Sequence, residues 1–499
     1  MSPEKNENVN EIIKEYSSGF DYNIEETAII LAAGHGKRIK SHKSKMLHSI
    51  WGVPTVERVY TACRNGLQKV NAVVVVGIKA PDVIKAVGKR ENTLFANQSE
   101  QLGTGHAVQV AIEEIDRDKL KGVVYVLPGD MGLIDEETMQ LFRDEFIKSE
   151  SDMMVLTGLY EGDPVENSYG RIIRVKEEDL NGDSSGSDNG KVIKIMENKD
   201  IHALSDTEHH ILEFNRKKYS YTKKELIANN EFNSGVYAFK KEHLMELLFA
   251  IDSNNAQKEI YITDLIDLFN KKGYTVGAVS PRQQHVIMGF NNKSVLKEME
   301  AIARKLAYDK IKDLVLIDDP DDFYIAEEVI DQIVEMDRIG TPLDISIGKG
   351  VHIGRGVELN YNLNLHKNVF VNGNVKFGKN VTVWEGVHLS CFGNQTFTIG
   401  NNVEILWGDI IKGNIVIGDG SRIESSVNMT GSDDFPLRIG SNVTIKGTSY
   451  LFGTTVEDDL FIEHSVLIKR KVNKILKSDG TVQPVKFVLP MPEGLETLE

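Results

Sequence analysis

From Ile345 the chain repeats itself every six residues. Ile345, Val351, Val357, Leu363, Val369, Val375, Val381 and Val387 are all apolar. So are the residues two positions further on: Ile347, Ile353, Leu359, Leu365, Val371, Phe377, Val383 and Leu389. All sixteen positions obey the rule, and Gly, Asn and Lys fill the turns between them. Such a hexapeptide repeat predicts coils of three short strands whose apolar residues stack inward, each coil burying its face only against its neighbours. The register slips at "SCFGNQTF" and again at "TGSDDFP", then resumes through "RIGSNVTIKG" to about Ile468. Slips of this kind mark loops protruding from a coil. An antiparallel β-domain with a turn every six residues is the alternative.

Ahead of the repeat the pattern is different. Apolar runs of strand length, "TAIILAA", "AVVVVG", "GVVYVLPGD" and "SDMMVLTGL", alternate with helix-length segments, "PTVERVYTACRNGL", "TGHAVQVAIEEI" and "DEETMQLFRDEF". All-apolar strands alternating with helices predict a mostly parallel sheet covered on both faces, with ligands at the carboxyl ends of the strands. The "AAGHGKR" turn, the Gly129-Asp130 pair and the loop after Leu94 fall at such ends. Between 175 and 230 the composition turns polar around the short strand "KVIKIME", and "DTEHHILEFNRKKYSYTKKEL" is read as charged and helical. Two helices, about Val295 to Leu314 and Ala326 to Met336, lead into the repeat. The organisation expected is a polar extension (1–25, with a short helix over Val9 to Tyr16), an α/β domain (26–294), a helical linker (295–340), the repeat (341–470) and a tail (471–499) that runs over the surface or onto a neighbouring subunit.

A chain of 499 residues is too long for one ordinary core. Its net charge of −16 argues against nucleic acid as the main partner, because a phosphate backbone needs a broad basic surface. No apolar run is long enough for a membrane span and no export signal is visible, so the expectation is a cytoplasmic protein without a membrane partner. Two cysteines, Cys63 and Cys391, supply neither a disulfide framework nor a zinc site. One local stretch runs against the acidic balance: "ILAAGHGKRIKSHKSKML", Ile30 to Leu47, has five Lys/Arg and no acid.

That stretch lacks the pattern of a P-loop, and Ile39 stands where a dinucleotide fingerprint needs its third Gly. Two glycines after a strand still let backbone N–H groups approach a phosphate, and Arg38 and Lys45 supply cations for oxygens that gain charge in phosphoryl transfer. Asp130, at a strand end, is where nucleotide chemistry places a Mg²⁺ ligand; a turn or cap is the plainer reading. "QLGTGHA" sets a Gly-Thr-Gly at a helix start. "NSYGRI", "MENKD", "FNSGVY", "NNAQKEIYITD" and "GFNNKS" are polar blocks inside otherwise apolar segments.

These blocks, in this order over roughly residues 27–305, resemble the bacterial N-acetylglucosamine-1-phosphate uridylyltransferases. The resemblance implies a Rossmann-like nucleotidyltransferase domain followed by a left-handed parallel β-helix, and a homotrimer formed through that β-helix. It further implies that Leu31, Ala32, Ala33 and Gly34 hold the uracil and ribose side of UTP, and that Gln98, Gly103 and Thr104 read the ring. Arg38 and Lys45 would be the catalytic cations on the triphosphate. Asp130 and Asn291 would bind Mg²⁺. Gly170, Glu197 and Asn233 would cradle an N-acetylated sugar 1-phosphate, with Tyr261 and Thr263 beside them.

Departures from the family pattern are Gly132 in place of a usual Pro, Lys37 in place of a small polar residue, and the insertions between Tyr169 and Asn233, which put the identity of the sugar in doubt. The repeat also lacks the family's Arg-Pro-Gly motif, its "GH" catalytic His and its Asn-Tyr-Asp-Gly loop. The expectation is therefore no acetyltransferase activity, with His352, His366, His388 and His464 structural. Three rivals stay open: another hexose-1-phosphate nucleotidyltransferase, a non-catalytic sugar-nucleotide sensor or scaffold, and a bifunctional enzyme with a displaced acetyl site.

Overall fold

A computed structural model describes residues 9–34, 36–253 and 258–488. His35 of the basic loop and residues 254–257 of the "NNAQKEIYITD" block thus lie outside the described residues. The chain forms two compact units, 1–300 and 301–499.

The first unit is built on a nine-stranded sheet. Its strands are β1 (Glu26–Leu31), β2 (Asn71–Val76), β3 (Thr93–Asn97), β4 (Val123–Pro128), β5 (Met153–Leu159), β6 (Arg171–Arg174), β7 (Val192–Met196), β8 (Glu231–Lys240) and β9 (Val276–Val279). Seven of them run in the order β9-β5-β8-β4-β1-β2-β3, while β6 joins β8 to β7. Pairings among β1 to β4, and between β5 and β9, are parallel. Strand β8 is antiparallel to both of its neighbours, β4 and β5.

The four valines of β2 have no exposed surface, so both faces of the sheet must be covered. Helices Thr55–Gly66, Ala80–Val87 and Glu136–Lys148 cover one face through Val59, Ile84 and Phe142. Thr104–Glu113 and Leu265–Lys272 cover the other through Val108 and Phe269. The chain steps outward from β1 to β3 and then returns to lay β4 on the opposite side of β1. That reversal opens a crevice at the carboxyl ends of β1 and β4.

From Val9 on, the polar extension carries the helix Val9–Tyr16 and packs onto the sheet. Ile12 is buried, and Ser17 and Ser18 hydrogen-bond the edge strand β3 at Phe95 and Thr93, which shields that edge. The stretch read as helical around 206–226 is mainly a hairpin, His210–Phe214 with Lys217–Tyr221, and only then a short helix, Lys223–Ala228. Leu212 and Phe214 alternate inward with Tyr219 and Tyr221 into a small separate core, so the period is two despite the charges. The Asn215-Arg216 turn, with φ positive at both residues, closes the hairpin.

The second unit is a left-handed β-helix with three sheets of eight, eight and six strands, all parallel. Register partners advance by eighteen residues, as from Asn364 to Thr382, which is three hexapeptides to a coil. All sixteen repeat positions are buried, none more than 6% exposed. Each contributes about 1.5–3 kcal/mol on leaving water. The corners suit asparagine, one of the few residues at home with positive φ: Asn362, Asn380 and Asn402 adopt it and pass side-chain hydrogen bonds of 2.9 Å from coil to coil.

Both register slips are four-residue insertions, since Thr382 pairs with Glu404 and Arg422 with Thr444. They fall at the same corner, two coils apart, and meet: Asn394 and Gln395 of one donate to the Asp433 carboxylate of the other at 2.8 and 2.9 Å. The coil between turns that corner with Gly413 and Asn414 alone.

Two boundaries are corrected. The 295–340 segment is not simply a helical linker. It holds helices Lys293–Ile311 and Glu327–Asp337, but strands Leu316–Ile317 and Phe323–Ile325 already pair with Ser346–Ile347 and Val351–Ile353. Its apolar hexapeptide period is hidden because a helix replaces one side of the coil. At the other end Lys471–Val472 still pairs with Thr455–Val456, and the described part of the tail, to residue 488, folds back so that Val485 bridges Ile462.

On one outer face Tyr324, His352, Phe370 and His388 stack at centroid spacings of 4.5, 4.6 and 4.5 Å. Register continues this uncharged column through Ile410, Asn428, Tyr450 and Val466. His366 stacks on Trp384 at 4.3 Å, and His464 Nδ1 lies 2.8 Å from the Gly447 carbonyl. No described helix is long and apolar enough to cross a membrane.

Candidate active site

Parallel order brings the carboxyl ends of β1, β3 and β4 to one edge of the sheet, and antiparallel β8 begins there. The Ala32 N–H donates to Val75 and the Gly129 N–H to Leu31, at 2.8 and 3.0 Å, so the turns after β1 and β4 are fixed side by side. Leu31, Ala32 and Ala33 are buried or half-buried, and Gly34 is exposed at the opening of the turn. Gly36 has φ +60°, and a Cβ there would lie 2.8 Å from that of Lys45. Glycine is therefore needed to press the loop against the lysine. Arg38, one residue into the short turn Lys37–Ile39, is exposed.

Lys45 reaches the crevice. Its ammonium pairs with the Asp130 carboxylate and donates to the Asn291 amide oxygen at 3.0 Å. Residues from three distant segments thus converge on one cation. Asp130 and Asn291 offer two hard oxygen ligands, both turned to the same Lys45 ammonium. That donor set fits Mg²⁺, which takes one or two protein ligands and fills its octahedron with phosphate oxygens and water. Among the described residues no three His, Cys, Asp or Glu side chains gather into a protein-only cage.

On the β3 side, Gln98 is 4% exposed and its amide donates to the Gly103 carbonyl at 3.1 Å. Gly103, at φ +113°, lies against the Ile260 backbone, where a Cβ would sit 2.5 Å from a carbonyl oxygen. The Thr104 hydroxyl accepts from the Ile262 N–H at 3.2 Å. The "YITD" block is thereby tied to the Gly-Thr-Gly turn, with Tyr261 and Thr263 both buried.

Gly170, Glu197 and Asn233 form a second cluster. The Asn233 N–H donates to the Gly170 carbonyl at 2.9 Å, and a Cβ on Gly170 would lie 3.4 Å from the Glu197 carboxylate oxygens. The Asn233 amide donates to the Tyr237 hydroxyl at 2.6 Å. Burial, reinforced by Asp200, Asp264 and Glu259, pushes the Glu197 carboxyl up to about 7. Asp264 is pushed up to about 6, chiefly by burial.

In "NSYGRI" Gly170 is not the only residue that shapes the site. Arg171, 1% exposed, donates to the carbonyls of Pro164, Asn167 and Tyr169 and so holds the loop ahead of Gly170. Tyr169 stacks on Phe232 and donates to the Gly289 carbonyl at 3.2 Å. An arginine and a tyrosine flanking a conformationally free glycine were the available signal. Tyr237 had none, because it reads as one more apolar strand residue.

A mostly parallel sheet with a glycine loop, a carboxylate–amide pair and a cation at its reversal point is the arrangement of a nucleotidyltransferase domain. In agreement, residues 28–197 match the family model of the MobA-like NTP transferase domain. The chain is 37% identical over 313 residues to the bifunctional protein GlmU of Acetivibrio thermocellus, covering 62% of this chain and 59% of that one. GlmU of Clostridium novyi is 35% identical, with 65% and 62% covered. These two matches span less than two thirds of either relative. With GlmU of Clostridium acetobutylicum the match runs through both units, 32% identical over 480 residues, 89% of this chain and 93% of that protein. The chain belongs to the GlmU family.

Proposed function

We propose that the protein joins UTP to N-acetylglucosamine 1-phosphate, forming UDP-N-acetylglucosamine and pyrophosphate. The observation that carries this reading is the Lys45 ammonium shared by Asp130 and Asn291 beside the Gly34–Arg38 loop. In the reaction a sugar-phosphate oxygen attacks the α-phosphorus in line and pyrophosphate leaves. The nucleophile is already an anion, so the chain needs no covalent intermediate. Its residues bind and orient. Leu31, Ala32, Ala33 and Gly34 hold the uracil and ribose side of UTP, and the Arg38 and Lys45 cations hold the triphosphate. Gln98, Gly103 and Thr104 take the base, and Gly170, Glu197 and Asn233 take the sugar, with Tyr261 and Thr263 near. When bound by Asp130 and Asn291, Mg²⁺ would neutralise charge on the phosphate oxygens.

Several features support the rest of the reading. Stacked or backbone-bonded positions of His352, His366, His388 and His464 favour structural roles, and hence a β-helix without acetyltransferase chemistry. The uncharged aromatic column is a surface suited to side-by-side packing of three copies. A net charge of −16 and the small-molecule substrates fit a cytoplasmic enzyme. Pyrophosphate release is the test, with Mg²⁺, UTP and a panel of sugar 1-phosphates. Preference for the N-acetylglucosamine ester is expected. Preference for another sugar would reassign the pocket to the 175–230 insertions, and no release from any pair would remove the reading.

A further inference from the structure

Tyr169 lies between the two clusters of the site. Its ring stacks on Phe232 at 4.6 Å and 26°, one residue from Asn233, and its carbonyl is clamped by the Arg171 guanidinium. Its hydroxyl crosses 120 residues of sequence to donate to the Gly289 carbonyl at 3.2 Å. Gly289 packs against Asp130, since a Cβ on it would be 3.3 Å from the carboxylate. Two residues further on, Asn291 shares the Lys45 ammonium with that same carboxylate. One hydroxyl therefore connects the loop that carries Gly170 to the loop that carries Asn291.

We propose that Tyr169 is a positioning residue that couples sugar binding to cation binding in this chain. The inference rests on the site assignment given above. Arg171 makes the 164–169 loop a stiff body, because three carbonyls share one buried guanidinium. A sugar phosphate that seats against Gly170 and Asn233 fixes that body, and the Tyr169 hydroxyl then fixes Gly289 and the oxygens beside it. Linkage requires the reverse: a cation held by Asp130 and Asn291 must raise the affinity for the sugar phosphate by the same factor.

Tyr169→Phe keeps the stack on Phe232 and removes only the hydroxyl. The experiment measures the dissociation constant of N-acetylglucosamine 1-phosphate by calorimetry, with the non-cleavable α,β-methylene UTP present, at zero and at saturating Mg²⁺. In the wild type Mg²⁺ should tighten sugar-phosphate binding. In Tyr169→Phe that enhancement should shrink by about fivefold or more, while the Mg²⁺-free affinity and the melting temperature stay at the wild-type values. Tyr169→Leu, which also loses the stack, should weaken the Mg²⁺-free affinity too. An undiminished enhancement in Tyr169→Phe overturns the coupling and leaves the site assignment standing. A wild type that binds no sugar 1-phosphate overturns the site assignment itself.

Discussion

In the first unit Lys45 meets Asn291 across 246 residues of sequence, with Asp130 joining from a third segment. In the second, His352 stacks on Tyr324 and Phe370, one coil before and one coil after it. Both units are made of parallel strands. In the sheet unit the strand ends are free to differ, and topology sets unrelated loops against one another in a crevice. In the β-helix each strand is two to four residues long and its ends become corners, so a side chain sees mainly its own column. Convergence produces a site; repetition produces a surface. Charged groups drawn out of water follow the same division: Asp264 adds its charge to the half-buried Glu197, and the buried Arg171 stands next to Gly170 of the same cluster, whereas Asp409 of the β-helix is pushed up to about 8 by burial where neighbouring coils place Val387 and Val427.

The sharpest break of this contrast would be a crevice variant that keeps its rate. Asp130→Asn and Lys45→Ala are each expected to lower turnover about a hundred- to a thousandfold in a pyrophosphate-release assay, with circular dichroism unchanged. A near-normal rate for either would detach that residue from the chemistry. The opposite pattern is expected in the second unit. Leu389→Ala opens a cavity in the β-helix core and should cost about 2–5 kcal/mol in thermal unfolding, while the folded fraction turns over at the wild-type rate. Loss of rate per folded molecule would show that the units are not independent in function.

Smaller effects test the surface and the pocket. Phe370→Glu puts a charge into the uncharged column and should convert the proposed trimer into monomers in sedimentation velocity; an unchanged assembly would locate the interface elsewhere. Glu197, raised to about 7, is neutral below that pH and gains charge above it. In its proposed role as an acceptor for sugar hydroxyls it should lower the sugar-phosphate KM as pH rises from 6 to 8, and Glu197→Gln should flatten that profile. The stability sign is opposite: a folded pKa above the ordinary carboxylate value stabilises the fold at low pH, and this contribution is lost as pH rises through 7. Glu197→Gln should therefore melt higher than wild type at pH 8.

Legibility in the sequence follows from the same contrast. The sixteen apolar positions are visible because a column repeats its own rule, and every one is buried. Strand ends β1 and β4 are visible because a parallel strand buried on both faces is apolar throughout. Strand β8 is not, since "EFNSGVYAFK" starts with polar site residues and shifts register between Asn233 and Val236. The 210–221 hairpin is masked by its outward lysines and glutamate. Of the site, the glycine turns and Asp130 stand out locally. The Tyr169–Gly289 bond leaves no local mark, because neither residue carries any pattern that depends on the other.

A stack in which each coil touches only the next can open anywhere, like a spring pulled apart at any turn. Asn394 and Gln395 reach across the Gly413–Asn414 turn to Asp433, and so fasten one coil to the next but one. The coil between is held inside a clasp: it cannot peel away while the clasp is shut. Three consecutive coils are thereby expected to yield under force as a single event rather than one after another.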